Sequence, residues 1–180
     1  MLTGWIIMKF NTYLDNKKTL KLIHDTSIRE VILEHKTLSR MGRLDTDSLL
    51  SLTDAALESG LSPVLQWDIL CTESNFENCI KLLDDLPLSK FAAIRVQDIG
   101  AAEWVRHEIP EIPLHFIAET GNHNLTGLLR WHEYFGQQLQ RFALSSELPI
   151  STLNNYCRSL TVPCDILAAG RILLLSLIHI

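Results

Sequence analysis

Val64-Leu-Gln-Trp-Asp68 and Ala93-Ile-Arg-Val-Gln-Asp98 decide the fold. Each is a short apolar run of strand length with an amide or a charge at alternate positions, and each closes on a carboxylate. The pattern returns in Val31-Ile-Leu-Glu34, Leu114-His-Phe-Ile-Ala-Glu119, Phe142-Ala-Leu-Ser-Ser-Glu147 and Cys164-Asp-Ile-Leu-Ala-Ala-Gly-Arg171. Helix-like segments separate the runs, so the strands are expected to be parallel, and parallel strands are normally apolar on both faces. Here one parity carries Leu33, Leu65, Trp67, Ile94, Val96, Phe116, Phe142 and Leu144. The other carries Glu34, Gln66, Asp68, Arg95, Gln97, His115, Glu119, Arg141, Ser145, Glu147 and Arg171. Side chains alternate across a strand with period two, so the polar set shares one surface. In a closed barrel that surface is the interior, and charges gathered there imply a binding pocket.

Working outward from these runs, strands are expected at 9–14, 29–34, 63–69, 91–97, 114–119, 141–145 and 164–169. Helices are expected near 18–24, 46–58, 75–86, 100–108, 125–135 and 149–160. Asp45 or Thr46 caps the second helix and Gly60 ends it, Gly136 stops the fifth, and Pro149 sits near the first turn of the sixth. Strand and helix alternate at a spacing that implies βαβ units, laid out either as an open doubly wound sheet or as an incomplete barrel. No G-x-G-x-x-G or G-x-x-x-x-G-K-[ST] loop follows any strand. An open sheet would also cover both strand faces with helices. The expected fold is therefore α/β, an incomplete TIM-like (β/α) barrel with about seven parallel strands.

The 180 residues suffice for one domain with a sizeable core. Hydrophobic residues make up 47% and charged residues 21%, a globular composition rather than a disordered one. A net charge of −5 with no dense Lys/Arg cluster argues against a DNA-binding surface. Cys71, Cys79, Cys157 and Cys164 form no C-x-x-C pair, so reduced and mostly buried thiols in a cytoplasmic protein are expected. No apolar run is long enough to span a bilayer. Residues 1–7 lack the basic start of a secretory signal and read as a non-native leader ahead of Met8. Leu175-Ser-Leu-Ile-His-Ile180 resembles the in-frame translation of a common sequencing adapter, so 175–180 is expected to be a read-through and 8–174 a partial barrel domain. A barrel lacking its last unit exposes strand edges, so poor solubility or self-association is expected.

In such barrels the chemistry lies at the carboxyl ends of the strands. Glu34, Asp68, Glu119 and Glu147 share the inward parity and are the candidate acids and bases, since two carboxyls in unlike environments can divide those roles. His35, Arg40, Gln97, Asp98, His115, Asn122, His123 and Arg171 are candidate substrate-binding residues. Arg95, Arg141 and Arg171 could instead neutralise the carboxylates as internal ion pairs. A metal site from His35, Asp68, His123 and Glu147 is conceivable, but no H-E-x-x-H helix supports it and no metal is assigned. There is no G-x-S-x-G elbow for a serine nucleophile, and nothing in the sequence marks Cys71 as activated.

Several segments, taken in order, resemble the amino-terminal barrel of the collagenase-like peptidases, family thirty-two of the peptidases of unassigned mechanism. Val31-Ile-Leu-Glu-His-Lys-Thr-Leu-Ser-Arg40 resembles the family's strand and Ser-Arg loop, and 44–50 its following helix entry. Val96-Gln-Asp-Ile-Gly100 is similar to its Gln-Asp-x-Gly turn, and Ile112-Pro-Leu-His115 through Asn124 to its Leu-Pro-Ile-His strand and polar loop. Phe142-Ala-Leu-Ser-Ser-Glu-Leu148 resembles its Leu-Ser-Arg-Glu-Leu segment, and Ala169-Gly-Arg171 takes the place of its glycine-centred strand. The resemblance covers roughly 9–174. Ser146 departs from the family's usual Arg, and Glu119-Thr120 stands where a Thr-Gln-like pair is common.

The resemblance implies a hydrolase acting on peptides, and the absence of a serine or cysteine motif makes carboxylates activating water its expected means. It also implies an alternative, because relatives support oxygen-independent hydroxylation of ubiquinone precursors or RNA bases, some with an iron–sulfur cluster and a homologous partner subunit. Their cluster cysteines follow the glycine-centred strand, and Cys157 and Cys164 precede it without matching. No cofactor is therefore expected in this fragment, while an iron–sulfur cluster is allowed in a full-length protein. A third reading is an unrelated barrel enzyme acting on a small acid or sugar.

Overall fold

The computed structural model describes residues 9–119 and 124–169. The leader at 1–7 and the tail at 175–180 lie outside the described residues. Seven strands are described: β1 (Asn11–Tyr13), β2 (Glu30–Glu34), β3 (Ser62–Trp67), β4 (Ala93–Val96), β5 (Leu114–Ala118), β6 (Leu139–Leu144) and β7 (Cys164–Asp165). Six α-helices alternate with them: α1 (Lys17–Ile23), α2 (Thr46–Glu58), α3 (Glu73–Asp85), α4 (Ile99–Glu108), α5 (Leu125–Phe135) and α6 (Ile150–Ser159). All neighbouring strands pair in parallel, and the sheet order is the chain order from β1 to β7. A doubly wound sheet reverses its strand order part-way; this one never does.

The sheet curls until its two edges approach. Asn11 Nδ2 on β1 donates to Asp165 Oδ2 on β7 at 3.1 Å, and Arg141 on β6 pairs with Glu30 on β2 at 2.5 Å. The result is an incomplete barrel of the TIM type, as the alternating pattern implies.

Local chemistry explains the element ends. Asp45 caps α2 by accepting from Ser48 N, and Gly60 takes φ +72 just past that helix, a conformation side chains resist. Asn124 caps α5 by accepting from Gly127 N, and Gly136 closes that helix at φ +56. β3 starts at Ser62, one residue earlier than expected. It tolerates Pro63 near its start, where the proline carbonyl accepts from Ala92 N at 2.7 Å. β7 is much shorter than expected, with only Cys164 and Asp165 in the ladder.

The apolar parity faces the helices and forms the core. Val31, Leu33, Leu65, Trp67, Ile94, Val96, Leu114, Phe116 and Phe142 are fully buried there, against Leu49, Ala56, Cys79, Leu83, Ala101, Val105 and Leu128 from the helices. Each large side chain buried this way stabilises the fold by roughly 1.5–3 kcal/mol. Trp67 packs its rings against Phe76 and Trp104, at centroid distances of 5.8 and 6.1 Å. The thiols follow the expectation only in part: all four are free, but Cys79 alone is fully buried and Cys157 is exposed, because its helix position faces outward.

The opposite parity faces the barrel interior, where charge is balanced in pairs. Arg95 Nη1 meets Asp165 Oδ2 at 2.7 Å, while Arg141 Nη1 lies 2.5 Å from Glu30 Oε1 and 3.5 Å from Asp165 Oδ1. Asp165 thus holds two guanidinium groups and one amide. Removing one partner of a buried pair strands the other, at a cost of about 3–5 kcal/mol. Asp165→Ala should therefore lower unfolding stability by about 3 kcal/mol, read from urea denaturation midpoints, whereas Asp25→Ala on the exposed surface should leave the midpoint unchanged.

Candidate active site

Three chain segments converge at the carboxyl end of β2 and β3. Glu34 is the last residue of β2, and the loop after it folds straight back, with Lys36 N donating to Leu44 O and Leu44 N to Glu34 O. Leu38 is fully buried, and its carbonyl accepts from Asp68 N at 3.0 Å and Ile69 N at 3.2 Å. Ser39 Oγ donates to Gln66 O at 2.9 Å. These bonds fasten the loop to the end of β3 and set Arg40 over the barrel mouth.

Arg40 then ties the rim together. Its backbone N–H donates to Asp68 Oδ1 at 2.9 Å and its Nε to Oδ2 at 3.2 Å. Its Nη2 donates to Gln97 Oε1 at 2.8 Å and lies 3.6 Å from Glu119 Oε2. Asp68 is 1% exposed, so this charge is compensated almost out of water.

Gln66 makes the second connection. Its Nε2 donates to Glu34 Oε1 and to Asp68 Oδ2, both at 3.1 Å, while its Oε1 accepts from Tyr13 OH at 3.3 Å. Glu34, Gln66, Arg95, His115 and Arg141 occupy one continuous line of register across β2 to β6. Burial, and then the neighbouring Asp68 carboxylate, push the Glu34 carboxyl up to about 7. A group so placed exchanges protons near neutral pH, which is what general acid–base work needs.

Other candidates are placed differently. His35 has the opposite parity to Glu34 and is 3% exposed, with Nδ1 accepting from Thr37 N at 3.0 Å and Nε2 3.4 Å from Thr46 Oγ1. Burial lowers its pKa, so it is a neutral brace of the loop rather than a substrate contact, and it does not meet Asp68 in a metal site. Asp98 caps α4 through Ala101 N and accepts from Cys71 N at 3.2 Å, so both its oxygens serve the backbone. Glu147 is exposed in a turn beyond the end of β6, where strand alternation no longer aims side chains inward. His115 is buried in the interior, and desolvation together with Arg141 and Arg95 pushes its imidazole down to about 3. Asn122, His123 and Arg171 lie outside the described residues.

Gln66, Glu30, Asp165 and Tyr13 join the interior from outside the sequence candidates, although parity alone connects Glu30 and Gln66 with Glu34. Burial pushes the Cys71 thiol up to about 12, which leaves no thiolate nucleophile at that strand end. Among the described residues no three His, Cys, Asp or Glu side chains gather for a metal ion. A separate cleft of about 340 Å³, lined by Leu86, Trp104 and Ile112 with Asp84, Glu108 and Glu111, contains none of the rim residues.

The comparisons with known proteins agree with this architecture. The profile of peptidase family U32 matches residues 16–175. The chain belongs to peptidase family U32. The solved structure of the U32 peptidase Mk0906 superposes with a TM-score of 0.65, at 15% identity over 88% of this chain and 68% of that one. At that identity the likeness speaks for the barrel alone. No match is found among the curated proteins. No described helix of this U32 member is long and apolar enough to cross a membrane.

Two outcomes follow from the rim geometry. A Cβ on Gly42 would run into the His35 carbonyl, 2.6 Å from its carbon and 2.9 Å from Lys36 N. Gly42→Ala should thus shift the Arg40 loop and lower stability by about 1–3 kcal/mol, seen as an earlier urea midpoint. Glu34 holds its proton more tightly in the folded chain than in the unfolded one. Its burial therefore costs nothing at acid pH and is felt as pH rises from 4.5 through about 7, levelling off above. Glu34→Gln should raise the melting temperature at about pH 8 and leave it unchanged at about pH 4, by calorimetry at each pH.

Proposed function

We propose that this U32 member is a hydrolase of peptide bonds in which Glu34 acts as the general base. The observation that carries the reading is the half-buried Glu34 carboxyl, held by Gln66 beside the Arg40-paired Asp68, a setting that pushes its pKa up to about 7. Glu34 as carboxylate takes a proton from a water molecule, and the water oxygen forms a bond to the peptide carbonyl carbon. The same proton then passes from Glu34 to the departing nitrogen as the carbon–nitrogen bond breaks. Burial, and then the Asp68 carboxylate, keep the Glu34 proton affinity high enough for both steps. Arg40 holds Asp68 in place and, through Gln97 and Glu119, sets the width of the mouth.

Family membership supports the peptide as the substrate class. Tyr13, Gln66 and Gln97 add uncharged hydrogen-bonding groups beside the carboxyls, the chemistry that suits an amide backbone.

The test is cleavage of a library of unstructured peptides, with new termini read by mass spectrometry. kcat/KM should rise with pH through a single ionisation near 7 and then level off. Glu34→Gln should lower it about 10²–10⁴-fold without unfolding the chain. Cleavage that survives Glu34→Gln, or a rate that falls as pH climbs past 7, would exclude the assignment.

A further inference from the structure

Two buried polar atoms in the barrel interior have no hydrogen-bond partner among the described residues: Arg95 Nε and His115 Nδ1. Arg95 is 8% exposed and His115 4%, so solvent does not serve them freely. Leaving such atoms unsatisfied costs about 1–3 kcal/mol each, more where the donor is charged. The two residues are register partners on adjacent strands, β4 and β5, and both have the inward parity. Side chains paired this way sit about 5 Å apart, close enough to share one acceptor atom.

We propose that Arg95 and His115 form a subsite for an uncharged acceptor oxygen, an amide carbonyl of the bound substrate. Arg95 Nε–H is an obligatory donor, because the guanidinium stays charged and has spent Nη1 on Asp165. The imidazole is neutral, and its Nδ1–H tautomer supplies a second donor to the same oxygen.

Charge decides against an anion. Arg95 and Arg141 are already paired with Asp165 and Glu30, two cations against two carboxylates. An added carboxylate would leave the layer with excess negative charge, facing Glu34 and Asp68 as well. A carbonyl satisfies both donors without disturbing that balance. The subsite lies on the register line that begins at Glu34, so a peptide unit reaching it passes beside the carboxyl. Reading that oxygen as a peptide carbonyl rests on the hydrolase assignment above; the acceptor subsite itself does not.

The experiment is a titration of the full chain with N-acetyl-alanine methylamide, with acetate as the comparison, following the Arg95 Nε–H and His115 ring resonances by nitrogen–proton NMR. Saturable shifts of both signals with the amide and none with acetate are expected. Arg95→Lys keeps the cation facing Asp165 but removes Nε, and should weaken the amide response about tenfold or more. Should that variant not fold, the wild-type titration decides alone. Shifts with acetate and not with the amide would overturn the proposal in favour of an anion site. Silence towards both would overturn it too, assigning the two atoms to enclosed water. Amide binding without any peptide cleavage would keep the subsite and discard the hydrolase reading.

Discussion

A charge inside a barrel must find a partner, because an uncompensated one costs several kcal/mol. That constraint organises the interior of this protein. Asp165 answers Arg95 and Arg141, Glu30 answers Arg141, and Arg40 answers Asp68. Two of these pairs, Arg95 with Asp165 and Arg141 with Glu30, cross the interior between non-adjacent strands, so charge balance also draws the two sides of the sheet towards each other.

Stability and chemistry consequently occupy opposite faces of the same strands. The helix-facing parity carries Trp67, Phe116 and Phe142, whose burial does not depend on what the inner face displays. Inner positions are free to hold groups in uncomfortable states. Glu34 is the clearest case, a carboxyl desolvated and set beside another carboxylate, so its ionised form is disfavoured in the folded chain. A site that works at neutral pH is built from such local discomfort, supported by a shell that does not share it.

The rim shows how a loop becomes part of a site. Leu38 anchors the segment after β2 in the core, Gly42 allows it to pass against the His35 carbonyl, and His35 braces it from behind. Arg40 is then the one long side chain of the loop bonded to Asp68 and Gln97 together. The Val31 to Arg40 stretch that carries much of the resemblance to the U32 family is the stretch that builds this feature. Its hydrophobic positions, with Gly42 just beyond it, serve the placing of the guanidinium.

Strand parity by itself determined the barrel, the polar lining and the inward placing of Glu34, Asp68, Gln97 and His115, because side-chain direction in a strand repeats every two residues. The same counting failed where the strand had ended, since Glu147 sits in a turn; Asp98, a rim candidate off the inward parity, is held to the start of α4 by the helix it caps. His35 needed the loop path, since only the fold shows Thr37 and Thr46 closing around its ring. Gln66 as a bridge, Asp165 as a double counter-ion and the proton affinity of Glu34 arise from burial and from contacts across neighbouring strands and across the barrel interior. Those are distances set by curvature and register, and no linear pattern of residues encodes them.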